Sequence, residues 1–203
     1  MKSEFDEQAR DWDEDLQRQA RTRAVAEALR PHLGTGAGLR ALELGCGTGA
    51  LSFALLPLLG EVTLADNSAG MLEVLQEKIG QLGAGGRMRV LPLDLEHEAP
   101  PAAAFDLLYT QMTLHHLVDV PAALGRCHAA LRPGGRLFIV DLDSEDGGFH
   151  GPEFTGHQGF ERRELEQWAR QAGFVQAEFS TVFIMHKGGR EYPLFLAVLT
   201  RAT

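Results

Sequence analysis

Three glycines, Gly45, Gly47 and Gly49, stand in ALELGCGTGA between an apolar run and a helix-like run, and Asp66 ends the next apolar run. Glycines at such a junction permit positive φ and let backbone N–H groups approach a ligand at a helix N-terminus. A carboxylate about 20 residues further on can accept both hydroxyls of a ribose. The chemistry is nucleotide recognition. Ala50 also completes G-x-G-x-x-G/A, so a dinucleotide is consistent with this loop taken alone. A tight turn without a ligand is the plainer reading. Strand, glycines, helix and downstream acid occurring together argue against it.

A second group carries imidazoles. His115 and His116 follow FDLLYTQMTL, and DSEDGGFHGPEFTGHQGF (143–160) holds His150, His157, Phe149, Phe154 and Phe160. Histidine titrates near the working pH, so His115 or His116 is a candidate general base; structural histidines are the bland reading. The glycine-rich segment can cover a small, partly apolar acceptor with His150 and His157. The spacing of His115, His116, His150, His157 and Asp143 matches no metal-ligand motif, and no metal is assigned. Cys46 lies where a helix terminus could lower its thiol pKa. With no base beside it, it reads as a small loop residue.

Hydrophobic periodicity defines the elements that must hold these residues. Residues 5–30 predict a helix, with Phe5, Ala9, Trp12 and Leu16 on one face and Asp6, Glu7, Asp13 and Glu14 on the other. Pro31 and the glycines of GTGAG (34–38) then predict a break. From Leu39 onward short apolar runs alternate with helical patterns. Strands are expected at 39–44, 61–66, 88–95, 105–112 and 136–142. Helices are expected at 50–59, 68–82, 121–131 and 161–173, with Trp168 in a core stripe. Two β-like runs, VQAEFSTVFIMH and YPLFLAVLT, close the chain. Alternation of this kind predicts βαβ units in a parallel sheet, and the final pair without a helix predicts an antiparallel last strand.

Composition narrows the partners. The chain has 203 residues and a formal charge of −9, with only three lysines, Lys2, Lys78 and Lys187, so general nucleic-acid binding is disfavoured. Two distant cysteines exclude a disulfide scaffold and a Cys-rich zinc site. The acidic start does not resemble a signal peptide, and the longest apolar run, Ala50 to Leu59, is too short for a membrane span. The expectation is a soluble cytoplasmic protein, a single domain over 1–203, either monomer or homodimer.

ALELGCGTG followed by LADNSAGML resembles the class I S-adenosylmethionine (SAM)-dependent methyltransferases, more narrowly the group that includes ubiquinone and menaquinone biosynthesis enzymes. FDLLYTQMTLHHL, LRPGGRLFIVDL and FDEQARDWDED resemble further motifs of that group. The resemblance implies a Rossmann-like fold: a seven-stranded, mostly parallel sheet, helices on both faces, an antiparallel last strand and an N-terminal helical lid over 1–33, with the α/β core at 39–203. It places Gly45, Cys46 and Gly47 along the methionine part of SAM with Glu43 beneath. Asp66 falls on the ribose, Asn67 and Met71 at the adenine, Asp94 and Leu95 flanking the base. Thr110, Gln111 and Met112 fall beside the sulfonium. Trp12 belongs to the lid, from which Arg21 or Arg23 can reach a carboxylate.

The implied activity is methyl transfer to a small-molecule acceptor. TQMTLHH is not the Asn/Asp-Pro-Pro-aromatic sequence of amino-group methyltransferases acting on nucleic acids or protein glutamine, and two cysteines are too few for arsenite chemistry. Two alternatives stay open at this point: an NAD(P)-dependent oxidoreductase, and a SAM-binding protein without turnover.

Overall fold

The computed structural model describes residues 4–34 and 38–203. Part of the GTGAG stretch, residues 35–37, and the first three residues lie outside the described residues. Seven strands form one sheet: β1 Arg40–Leu44, β2 Glu61–Asp66, β3 Met88–Pro92, β4 Phe105–Gln111, β5 Leu131–Leu142, β6 Phe174–Lys187 and β7 Arg190–Arg201. Their order is β3-β2-β1-β4-β5-β7-β6. The first five pair in parallel, whereas β7 runs antiparallel to both β5 and β6, as the missing helix before it predicts.

Among the described residues six α-helices accompany the sheet: α1 Glu4–Gln8, α2 Leu16–Leu33, α3 Ala50–Leu55, α4 Ala69–Gln81, α5 Val120–Ala130 and α6 Arg162–Gln171. Alternate residues of each strand face opposite layers. Val62, Leu64 and Tyr109 pack with Val25 and Leu29 of α2, Leu51 and Leu55 of α3, and Leu75 and Ile79 of α4. Leu42, Leu44 and Leu108 pack with Leu124 and Cys127 of α5 and Leu165 of α6, with Trp168 against the same cluster. Both faces are covered, so the inner strands read as nearly continuous apolar runs.

The expected helix at 5–30 is instead three pieces. α1 stops at Gln8, one 3-10 turn spans Trp12–Glu14, and α2 starts after Asp15, whose carboxylate accepts the Arg18 N–H at 2.8 Å. Short acidic side chains compete with helix interiors and favour caps, which breaks DWDED. The apolar stripe fails with it, since Leu16 is 78% exposed. Helix α2 then runs through Pro31 to Leu33 rather than breaking there. β3 ends at Pro92, short of 95, because proline donates no ladder hydrogen bond. β5 begins at Leu131, earlier than 136, because an irregularity in its pairing with β4 absorbs the LRPGG segment. The helix expected at 50–59 ends at Leu55 and becomes a 3-10 turn containing Pro57.

Candidate functional site

The glycine turn follows β1 at the carboxyl edge of the sheet. Gly45, Gly47 and Gly49 have φ of 63°, 51° and 78°. At Gly45 a Cβ would fall 2.2 Å from Thr113 Oγ1, so only glycine lets the turn meet the end of β4. Asp66 ties the turn to β2: its Oδ2 accepts the Gly47 N–H at 2.8 Å and its Oδ1 the Ser68 N–H at 2.9 Å. Each oxygen keeps a lone pair for another donor. Burial raises the Asp66 pKa against the lowering effect of these N–H groups.

Glu43 lies beneath the turn, 3% exposed. Ser52 Oγ donates to its carboxylate and lies 2.5 Å from the Tyr109 hydroxyl. Burial, with the Asp66 charge adding to it, pushes the Glu43 pKa up to about 8. Burial and the same carboxylates also push the Cys46 thiol well above its ordinary value. The helix terminus does not lower it, because the thiol is buried among acids.

Leu44 pairs with Thr110, which brings the end of β4 beside the turn. Thr110 Oγ1 and Gln111 Oε1 are buried without a hydrogen-bond partner. Met112 adopts φ of 57°, a left-handed conformation rare for a side chain of this size. The Met71 sulfur and Trp12 Nε1 each lie 3.8 Å from where a Cβ on Gly47 would stand, so both close over the turn. Asn67 is exposed at the start of the next loop. Asp94 lies one loop away, accepting the Glu96 N–H at 3.0 Å, and Leu95 is buried in the α5–α6 core.

The N-terminal segment is latched across this edge. Asp6 accepts the Ser68 hydroxyl at 2.7 Å and the Gly70 N–H at 2.9 Å. Asp13 accepts the Thr48 hydroxyl at 2.6 Å and pairs with Lys78, which also donates to the Thr48 carbonyl at 3.0 Å. The Arg18 guanidinium covers the Trp12 ring at 3.6 Å. The sequence places Asp6 and Asp13 on the helix face opposite the apolar stripe. The signal for Asp13 was Lys78, one of three lysines, placed on the helix after β2.

Beyond the turn the imidazoles gather. His115 is 1% exposed, and its Nδ1 lies 2.6 Å from Oδ1 of Asp141, which is 0% exposed. Burial pushes the Asp141 pKa up, but the neighbouring His115 and its hydrogen bonds hold it below the usual value. Ring centroids of His115 and His116 are 4.2 Å apart, those of His115 and His150 4.9 Å. His150 stacks on Phe154 at 4.0 Å, and Phe154 meets His116 edge-on at 5.4 Å. Burial, then the neighbouring His115, pushes the pKa values of His116 and His150 down to about 4. Asp141 was missed because its position at the end of an apolar run also suits a strand-end cap.

The segment 143–160 packs against this cluster. A Cβ on Gly156 would fall 2.2 Å from the His115 carbonyl, and the His157 N–H donates to that carbonyl at 2.7 Å. The His157 ring packs on Phe160 and Trp168, outside the trio. Asp143 is held by Arg162 in a two-pronged pair at 2.6 and 2.7 Å. Of the two arginines expected to reach a carboxylate, Arg23 bonds Gln19, whereas Arg21 is buried with Nε unpartnered and its pKa pushed down to about 10 by burial.

A methyltransferase-domain family model matches residues 42–137. The chain is 32% identical over 112 residues to the ubiquinone/menaquinone biosynthesis C-methyltransferase of Haemophilus ducreyi, covering 54% of this chain and 43% of that one. It is 29% identical over 158 residues to the ubiquinone biosynthesis O-methyltransferase of Xanthomonas axonopodis pv. citri, covering 71% and 66%. The chain spans about half the length of the first of the curated relatives it matches. A solved chain from the complex between the Haloferax volcanii Trm112 methyltransferase activator and a methyltransferase superposes over 100% of both chains, with a TM-score of 0.81 at 17% identity. The oxidoreductase and non-catalytic alternatives draw no support from these matches. The sheet order and the matches agree in supporting a class I SAM-dependent methyltransferase, with the methyltransferase-domain model covering residues 42–137.

Proposed function

We propose that this protein transfers a methyl group from SAM to a small-molecule acceptor. The observation that carries the reading is one continuous edge: the glycine turn and Asp66 at one end, the histidine cluster at the other, and Phe5 touching both Trp12 and His116. Thr110 Oγ1 and Gln111 Oε1, buried and unpartnered between the two halves, fit a polar ligand lying there. When bound, SAM supplies an electrophilic methyl on a sulfonium; the S–CH3 bond breaks as the bond to the acceptor forms, and the electron pair returns to sulfur.

The chain's own work is binding, alignment and exclusion of water. Asp66 takes the ribose hydroxyls on its free lone pairs, and the Gly45–Gly47 backbone and Glu43 line the methionine side. Met71 and Asn67 border the adenine, with Asp94 and Leu95 at its far edge. Thr110, Gln111 and Met112 flank the sulfonium. Arg21 takes a ligand carboxylate, and Trp12 closes the lid. His116, His150 and the loop carrying His157 face the acceptor. Where the acceptor has a proton to lose, His115, oriented by Asp141, or the adjacent His116 accepts it.

We place the protein in the cytoplasm, on two buried free cysteines and an acidic charge balance. No helix among the described residues is long and apolar enough to cross a membrane. The test is calorimetric titration with SAM, its demethylated product and NADH. Micromolar binding of the first two without an NADH response supports the reading. Binding of NADH alone overturns it.

A further inference from the structure

We propose that His115, His116 and His150 form a three-imidazole site for one divalent transition-metal cation, with Asp141 orienting the innermost ligand. One ring nitrogen of each histidine lies within 4.8 Å of the others. A tetrahedral cation with metal–nitrogen bonds of about 2.0–2.1 Å holds its nitrogens roughly 3.4 Å apart. Closing the trio onto an ion therefore takes a shift of about 1 Å, within reach of side-chain rotation at His116 and His150.

Two further observations point the same way. His115 Nε2 and His150 Nε2 are buried without a hydrogen-bond partner. Stacked neutral rings alone leave both nitrogens unsatisfied, which folded interiors rarely tolerate. Asp141, fully buried, occupies His115 Nδ1 and also accepts the Leu142 N–H at 2.8 Å, so it is itself fixed. A carboxylate on one ring nitrogen sets the tautomer and leaves Nε2 as the lone-pair donor, the arrangement of a ligating histidine with its supporting acid.

Three imidazoles suit zinc, cobalt, nickel or copper, and not magnesium or calcium, which want oxygen. Three protein ligands leave a coordination position open, as in sites that act on a substrate. Phe5, Phe149 and Phe154 surround the trio and supply an apolar shell. An acceptor oxygen on the open position loses its proton more readily. His115 Nε2 cannot both ligate an ion and accept a proton, so in the loaded protein the ion replaces the imidazole as the activating group. The site rests on the histidines and not on the cofactor reading.

The test uses tag-free full chain, stripped with chelator and titrated with Co2+ by calorimetry and visible absorption. One equivalent should bind with the spectrum of four- or five-coordinate cobalt, and Zn2+ should displace it. His116→Ala and His150→Ala should each weaken binding at least about tenfold, and Asp141→Asn about 10–100-fold. His186→Ala, in an exposed pair with Glu191 outside the trio, should leave it unchanged. Thermal melts identify any variant that fails to fold, and His116, which keeps contact with solvent, is the substitution least exposed to that failure. No stoichiometric Co2+ binding, or binding indifferent to His116→Ala and His150→Ala, overturns the site. SAM titrated into the same stripped sample separates the two readings: SAM binding without Co2+ binding removes only the metal.

Discussion

The Phe5 ring stands edge-on to the His116 ring, centroids 5.3 Å apart at 89°. The same Phe5 meets Trp12 at 5.8 Å, and Trp12 reaches over Gly47. One residue of the N-terminal segment therefore spans the glycine turn and the histidine cluster. Aromatic pairs of this geometry contribute about 0.5–1.5 kcal/mol beyond their buried area. Phe5→Ala should weaken SAM binding and raise the acceptor KM together, each by about 3–10-fold. A change in one constant alone, read by calorimetry and steady-state kinetics, would show that Phe5 does not couple the halves.

Asp66 carries the ribose assignment. Its removal deletes charge-assisted hydrogen bonds and frees the Gly47 and Ser68 N–H groups. Asp66→Ala should cost about 1–3 kcal/mol of SAM binding. Unchanged affinity in calorimetry would place the ribose elsewhere.

The N-terminal latch should be separable from the proposed cofactor contacts. Asp13→Asn keeps the size of the side chain but removes the charge facing Lys78. The pair is partly exposed, so the cost in global stability should stay within about 1 kcal/mol. Protease cleavage within residues 4–15 should accelerate while the thermal midpoint hardly moves. Equal cleavage rates in variant and parent would mean that the latch does not hold the segment.

Glu43 makes stability depend on pH. Its folded pKa of about 8 lies above the ordinary 4.5, so the folded state holds a proton that the unfolded chain releases. That contribution is fully present below about pH 4.5 and is lost as pH rises toward 8, with an upper bound near 3 kcal/mol lost by pH 7. Glu43→Gln carries no titrating proton. Urea unfolding should show variant and parent converging in acid, with the variant relatively more stable at each step toward pH 8. Parallel profiles would mean that Glu43 is ionised in the fold.

Asp141→Asn removes one partner of a buried contact and leaves His115 Nδ1 opposite an amide. Breaking such pairs typically costs about 3–5 kcal/mol. The thermal midpoint should drop by several degrees or more, and the double variant Asp141→Asn with His115→Gln should recover part of the loss. No recovery would show that the two residues contribute independently.

What the sequence determined by itself was local. Apolar runs alternating with helical patterns, glycines at a strand end and an acid closing the next strand predict the sheet and the turn, because period and backbone conformation are properties of neighbours in the chain. EVTLAD became β2 over the expected residues, and Ser68 became the cap of α4, its hydroxyl accepting the Met71 N–H at 3.2 Å. Tertiary structure decided the rest. Asp13 finds Lys78 across 65 residues, and His115 finds Asp141 across 26. His150 reaches the cluster because the loop after β5 folds back over the 3-10 turn at Leu114–His116, while His157, seven residues on, turns toward Trp168. Such partners are set by where strands end at one sheet edge and by which side chains burial forces together, and no spacing along the chain encodes that convergence.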